Sequence, residues 1–313
     1  MLRNDSTALV CYNPSMELSF FTMDYIQSYL AWVCSGLSIL FLLVTLLFYV
    51  LYKELRNLPG KLTMGLAASL ILGQGLMFLP KFSGNVCQYL AACTHFIWLS
   101  VFMWMSCQAY NMLVTFHPSL TRRGPCSFWI YFTLSVVIPG LIVIPLLVMD
   151  VIPEERVMHV RYGVVSCTWM ADKDGYIYTF FVPVALTLTF NIVCFSLTLY
   201  SIEITMATSE EVTGRKRDRQ RCIIYIKLSS VMGFSWIFGF IASFGDVPAL
   251  WYVYVILNGL QGVFIFLSFS LNTRTRRLLT KRESGYKFSS IFKTRSTGTT
   301  VTSSSTRSDQ SKF

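Results

Sequence analysis

The chain has 313 residues, 54% of them hydrophobic and 13% charged, with a mean hydropathy of +0.54 and a net charge of +10. A soluble domain carries about 25% charge, and a single soluble core cannot absorb this much apolar surface, which makes this a membrane protein. That reading displaces nucleic acid as the explanation of the basic balance, and it moves attention from the total charge to its placement.

Residues 1–27 carry Asp5, Glu17 and Asp24 and lack the basic and apolar regions of a signal peptide. They read as a short extracellular segment, with the first apolar helix as its own insertion signal. Asn4-Asp5-Ser6 makes Asn4 a candidate for glycosylation, whereas Pro14 blocks Asn13-Pro14-Ser15. Seven stretches follow that can cross about 30 Å of hydrocarbon, at 28–52, 62–80, 87–116, 128–149, 176–202, 222–244 and 250–271. All are expected to be helical, because lipid offers no partner to unpaired backbone groups. The second holds Gly65, Gly73 and Gly75, and the sixth Gly233 and Gly239, which makes these two the weakest assignments. Close helix packing is the simpler role for their glycines. Pro139, Pro145 and Pro183 are expected to bend the fourth and fifth helices. Residues 272–313 form a cytoplasmic tail. Arg274, Arg276 and Arg277 begin either an amphipathic helix on the anionic leaflet or a simple stop-transfer cluster. Thr294–Ser308 is too rich in Ser and Thr to fold; it is either an inert solvated tail or a phosphorylation zone that recruits a desensitising partner such as arrestin.

Orientation follows from basic residues alone. The segment before the first helix and every second loop after it hold Arg3, Lys81, Arg156, Arg161 and Lys173, and the opposite side holds the other 21 of 26. The positive-inside rule therefore places the N-terminus outside and the tail in the cytoplasm. Architecture alone does not carry function, so the chemistry-bearing residues matter. Cys87, at the outer end of the third helix, and Cys167, in the loop between the fourth and fifth, share the oxidising side. A bridge between them would tie that loop over the mouth of the bundle. Cys11 is left odd, while Cys34, Cys93, Cys107, Cys194 and Cys222 read as small apolar packing residues. Neither the cysteines nor His95, His117 and His159 fall at metal-ligand spacing, and no cofactor loop or catalytic motif appears; His95 reads as a satisfied core histidine. Trp98, Trp104, Trp236, Trp251 and Tyr252 are first of all packing or interface anchors. Gln108, Asn111, Asn191, Asn258 and Gln261 are expected to form hydrogen bonds between helices, as switches or as staples. Arg215, Lys216, Arg217, Arg219 and Arg221, at the inner end of the sixth helix, form either a docking surface for a partner such as a G protein, or a topology and lipid-contact cluster.

Five segments together carry a resemblance. They are LRNLPGK (Leu55–Lys61), WLSVFMWMSCQAYNM (Trp98–Met112), Cys167 with Trp169, MGFSWIFGFIASF (Met232–Phe244) and LWYVYVILNGLQGVFIFLSF (Leu250–Phe269). The chain resembles the secretin/adhesion superfamily of seven-helix receptors over residues 28–280, and among its branches it looks most like the methuselah-like receptors. The resemblance implies a plasma-membrane receptor that activates heterotrimeric G proteins, in answer to an unknown extracellular ligand, as helix six swings outward. It implies that Cys87 and Cys167 form the loop disulfide. It makes Trp236 and Gly239 candidates for the break in helix six, and Asn258, Gln261 and Gly262 candidates for the polar and hinge positions of helix seven. Pro59, Gln108 and Phe269 depart from the histidine, glutamate and tyrosine found in relatives, so Gln108 can exchange hydrogen bonds but cannot pair as an ion. Ser6–Tyr12 lies where a tethered agonist would, without the expected pattern. The short outer segment suggests a short or truncated form of a larger receptor.

Two other functions compete. A channel or transporter needs an ionisable path at mid-membrane, and none of the seven stretches carries an Asp, Glu, Lys or Arg near its centre. A non-signalling membrane protein, as decoy or dimer partner, stays in play through the short outer segment and the altered inner positions.

Overall fold

The computed structural model describes residues 14–79, 85–117, 126–151, 160–164, 167, 169–171, 173–207, 235–239, 241 and 248–271. By backbone contacts Met1–Phe269 is one unit and Ser270–Phe313 a second. Among the described residues the regular elements are helices, with one antiparallel bridge between Tyr162 and Met170.

Helix α1 runs Pro14–Leu51. It starts well before Ser28, with a proline in its first turn, where the missing N–H costs nothing. Among the described side chains of α1, Ile26–Leu51 is long and apolar enough to cross a bilayer. A 3-10 turn, Lys53–Leu55, leads into α2, Leu58–Leu76. The connection is built from short-range capping. Arg56 Nε donates to the Tyr49 carbonyl at 2.8 Å and its Nη2 to that of Val50, which closes the end of α1. Asn57 accepts the Gly60 N–H at 3.1 Å, and Pro59 occupies the first turn of α2. The "LRNLPGK" segment is thus a compact joint in which Arg56, Asn57, Pro59 and Gly60 each have a mechanical task.

Helix α3 is Asn85–Phe116 and α4 is Phe128–Val151. Helix α5 opens with one turn, Lys173–Tyr176, widens into a π turn at Ile177–Phe181 and continues as Val182–Ala207. Five residues, Ser235–Gly239, represent α6. The seventh stretch is two helices, α7 at Pro248–Gly259 and α8 at Gln261–Leu271, with a bend of 45° between Ala249–Gly259 and Gln261–Ser268. Pro139 and Pro145 lie inside α4 without ending it.

Helix α3 is the axis, packed against α2, α4 and α5, while α1 packs on α2 and α7. In its most apolar window 72% of α3 is buried, against 17% of α4, so α3 is central and α4 faces outward. Leu62, Leu66 and Leu70, at helical spacing on α2, join Leu99, Phe102 and Met105 of α3, Phe180 and Val184 of α5, Trp236 and Ile265 in one core. Polar side chains are tolerated because they bond back to their own helix. Thr45, Thr94, Ser100, Ser106, Thr198 and Ser201 each donate to the carbonyl four residues earlier.

Among the described residues four helices are long and apolar enough to cross a membrane, and the bent pair makes a fifth. Helix α2 falls short of that measure because Lys61, Gln74 and its glycines dilute a 19-residue helix. Most of the sixth stretch lies outside the described residues.

Candidate functional site

The interruption of the seventh stretch comes first. In an unbroken helix Gly262 would donate its N–H to the Asn258 carbonyl. Here the Gly262 N–H goes instead to Ser38 Oγ of α1 at 2.8 Å, and the Asn258 carbonyl faces Gln74 Nε2 of α2 at 3.5 Å. Both backbone groups freed by the bend are therefore met by side chains of other helices, as a buried break demands. Gly262 permits the approach, since a Cβ there would collide with the Ser38 carbonyl and hydroxyl and with Leu42.

The Asn258 side chain gathers the rest. Its Oδ1 accepts from Ser235 Oγ of α6 at 3.0 Å and from Gln261 Nε2 at 2.6 Å, and its Nδ2 donates to the Tyr254 carbonyl at 3.1 Å. Ser38, Gln74, Ser235, Asn258 and Gln261 are all buried. Three helical segments, α6, α7 and α8, thus meet through one amide, and α2 joins them at the same residue's backbone carbonyl. An apolar surrounding makes each of these bonds costly to leave unmade.

Directly beside this polar knot is an aromatic one. Trp236 packs edge-on against Phe102 at 4.8 Å, Tyr254 at 5.4 Å, Trp98 at 5.7 Å and Phe180 at 5.9 Å between ring centroids. Gly239, one turn on, lets the Tyr254 ring approach: an added Cβ would be 2.7 Å from it.

One end of the bundle is closed by a hairpin. Cys87 and Cys167 are joined by a disulfide, their Cα atoms 4.4 Å apart. Gly163, at φ +71°, packs on the Cys87 backbone where no side chain could enter. The Asp150 carboxylate at the end of α4 accepts from the backbone N–H of Arg161 at 2.8 Å, that of Tyr162 at 3.0 Å and Gln88 Nε2 at 3.0 Å. Arg161 takes φ +56° to reach it. Burial, and then the Asp150 carboxylate, push the Tyr162 phenol above its ordinary value, so it keeps its proton. Beneath it His95 is fully buried, with Nδ1 2.7 Å from Tyr162 Oη and Nε2 3.2 Å from the Thr179 carbonyl. Both of its ring nitrogens are engaged, as a core histidine requires.

The structure brings Asn258, Gln261, Gly262, Trp236 and Gly239 into one region and leaves Gln108 outside it. Gln108 Nε2 is buried with no hydrogen-bond partner among the described residues, and the same holds for Asn191 Oδ1. The interhelical bonding expected of the membrane amides is thus realised for Asn258 but not seen at those two atoms. Arg215, Lys216, Arg217, Arg219, Arg221, Asn4 and Cys11 lie outside the described residues. Sequence reasoning missed Ser38, Gln74 and Ser235. An amide in an apolar helix was the available signal for Gln74, whereas serine in a helix gives none.

The family described as 7 transmembrane receptor (Secretin family) matches residues 24–265. Adhesion G protein-coupled receptor E2 of Macaca mulatta is 25% identical over 277 residues, covering 84% of this chain and 32% of the relative. The E2 receptor of Canis lupus familiaris is 26% identical over 292 residues, covering 90% and 34%. Adhesion G protein-coupled receptor E3 of Homo sapiens is 25% identical over 309 residues, covering 95% and 45%. The chain therefore spans between about a third and just under half the length of these relatives. The finer methuselah-like placement is not carried by this match or by these relatives. The family match takes in the helices, the disulfide-bound hairpin and the broken seventh stretch alike: the chain belongs to the secretin family of seven-transmembrane receptors and is a multi-pass receptor of the plasma membrane.

Proposed function

We propose that the chain is a G-protein-coupled receptor, with its N-terminus outside and its tail in the cytoplasm, that passes an extracellular signal to heterotrimeric G proteins by movement of α6. The observation that carries this reading is the Asn258 amide. It bonds Ser235 of α6 while the bend beside it is held by Ser38 of α1 and Gln74 of α2. An outward swing of α6 must break or drag that link, so the state of α6 and the bend of the seventh span are coupled. Trp236 and Gly239 give α6 a large ring to pivot on and a thin point at which to pass Tyr254. Membership of a receptor family supports the same reading. The ligand is an unidentified extracellular one. Arg215, Lys216, Arg217, Arg219 and Arg221 form the G-protein-facing surface, the Ser/Thr-rich tail is the arrestin-facing one, and Asn4 is the glycan acceptor.

The test is a G-protein activation panel in cells, using a surface-tagged receptor with and without those five basic residues changed to Ala. Basal activation that the variant loses at equal surface level is expected. Full activation by the variant would move the coupling surface elsewhere. Silence of a well-exposed parent across the whole panel would favour the decoy or dimer-partner reading, which Gln108 Nε2, without a hydrogen-bond partner among the described residues, supports.

A further inference from the structure

We propose that His95 is a positioning residue that ties the outer hairpin to the register of α5. Pro183 sets up the need for it. In a regular helix residue 183 would donate to the carbonyl of Thr179, but proline has no N–H and its ring crowds that same carbonyl. The helix answers by widening: Ile177–Phe181 is a π turn, closed by the Val182 N–H reaching back five residues to the Ile177 carbonyl. The Thr179 carbonyl is then served from another helix, by His95 Nε2 at 3.2 Å.

The proton positions follow. A carbonyl can only accept, so Nε2 carries the hydrogen, and in the neutral ring Nδ1 accepts from the Tyr162 hydroxyl at 2.7 Å. Tyr162 is held in turn through its own backbone N–H by Asp150. A second contact runs the same way, with the Thr179 hydroxyl donating to the Gly175 carbonyl at 2.6 Å and lying 3.7 Å from the sulfur of Met170, the residue bridged to Tyr162. One chain of contacts therefore leads from the outer surface through Tyr162 and His95 to a carbonyl of α5 that Pro183 cannot satisfy. Displacement of the hairpin withdraws Tyr162, loosens the ring and frees the Thr179 carbonyl, and the outer turns of α5 must readjust. The inference rests on the receptor reading only for what this coupling serves, an input to α5 beside the one at α6.

The test is amide hydrogen exchange over α5 in the purified full chain in nanodiscs, which needs no G protein and so stands or falls apart from coupling. Tyr162→Phe keeps the ring and removes one hydrogen bond; it is expected to speed exchange at 177–182 roughly threefold, and His95→Leu roughly tenfold. In a Pro183→Ala background residue 183 regains its N–H, and His95→Leu is then expected to change nothing in α5. Equal effects of His95→Leu with and without Pro183, or faster exchange confined to the hairpin, would reduce His95 to a space-filling residue. If His95→Leu does not fold, Tyr162→Phe decides: unchanged exchange in α5 overturns the proposal.

Discussion

At Asn258 every polar function of the side chain is in use, which makes single substitutions informative. Asn258→Leu leaves the Ser235 hydroxyl and the Gln261 amide without their acceptor, and each orphaned buried group costs about 1–3 kcal/mol. A markedly lower unfolding temperature of the purified receptor is expected, and an unchanged one would dismantle the polar knot. Gly262→Ala pushes a Cβ against the Ser38 backbone carbonyl, which cannot swing aside as a side-chain tip can; about 1–3 kcal/mol of destabilisation follows. Gly75 is the internal control, because an added Cβ there meets nothing within 4 Å. Gly75→Ala is expected to leave stability unchanged or raise it by up to about 1 kcal/mol. The same thermal unfolding series separates the two glycines.

At the scale of elements the hairpin is the sharpest case. Cys87 and Cys167 are 80 positions apart, and in the chain-entropy picture a loop of that length is worth about 4–5 kcal/mol. Cys167→Ser is expected to cut the yield of thermally stable receptor, and Gly163→Ala to mimic it in part, since the left-handed backbone and the Cys87 backbone both refuse a side chain. Such elements were only partly legible in the chain. Hydropathy finds spans because lipid punishes every polar group inside them, but it does not find the start of α1 upstream of Ser28, where Glu17 and Asp24 interrupt the apolar run while the helix continues. Asn258, Gln261 and Gly262 announced a weak point near Leu260. Their partners, Ser38 and Gln74, are 224 and 184 positions away; an amide in an apolar helix marks Gln74, but nothing local marks Ser38. Pro183 announced a bend and produced a π turn, because His95, unforeseeable from α5 alone, was there to serve the freed carbonyl. The Asp150 clamp was invisible for a similar reason, as it depends on Arg161 taking a backbone conformation that few non-glycine residues adopt.

For the whole molecule, the placement of charge makes a plain claim about topology. The seven-span reading of the sequence assigns 21 of 26 basic residues to one side, so an epitope fused before Met1 is expected to stain intact cells, and one after Phe313 only permeabilised cells; the reverse pattern would invert the receptor. The arrangement around α3 adds that what reaches the centre arrives through neighbours, since this helix has the most buried surface of the spans described. The interruption near Leu260 then acquires a logical character. Ser38 on one helix holds the amide of Gly262, and Gln74 on another holds the carbonyl of Asn258. Gly262 has one N–H to give, whereas a carbonyl oxygen can accept twice, so the pairing is barred by Ser38 and not by Gln74. A disturbance that reaches α2 alone leaves the bend standing. The seventh span behaves as a latch with its catch on the first, and the component that makes it so is a single hydrogen bond the backbone has handed over to a neighbour.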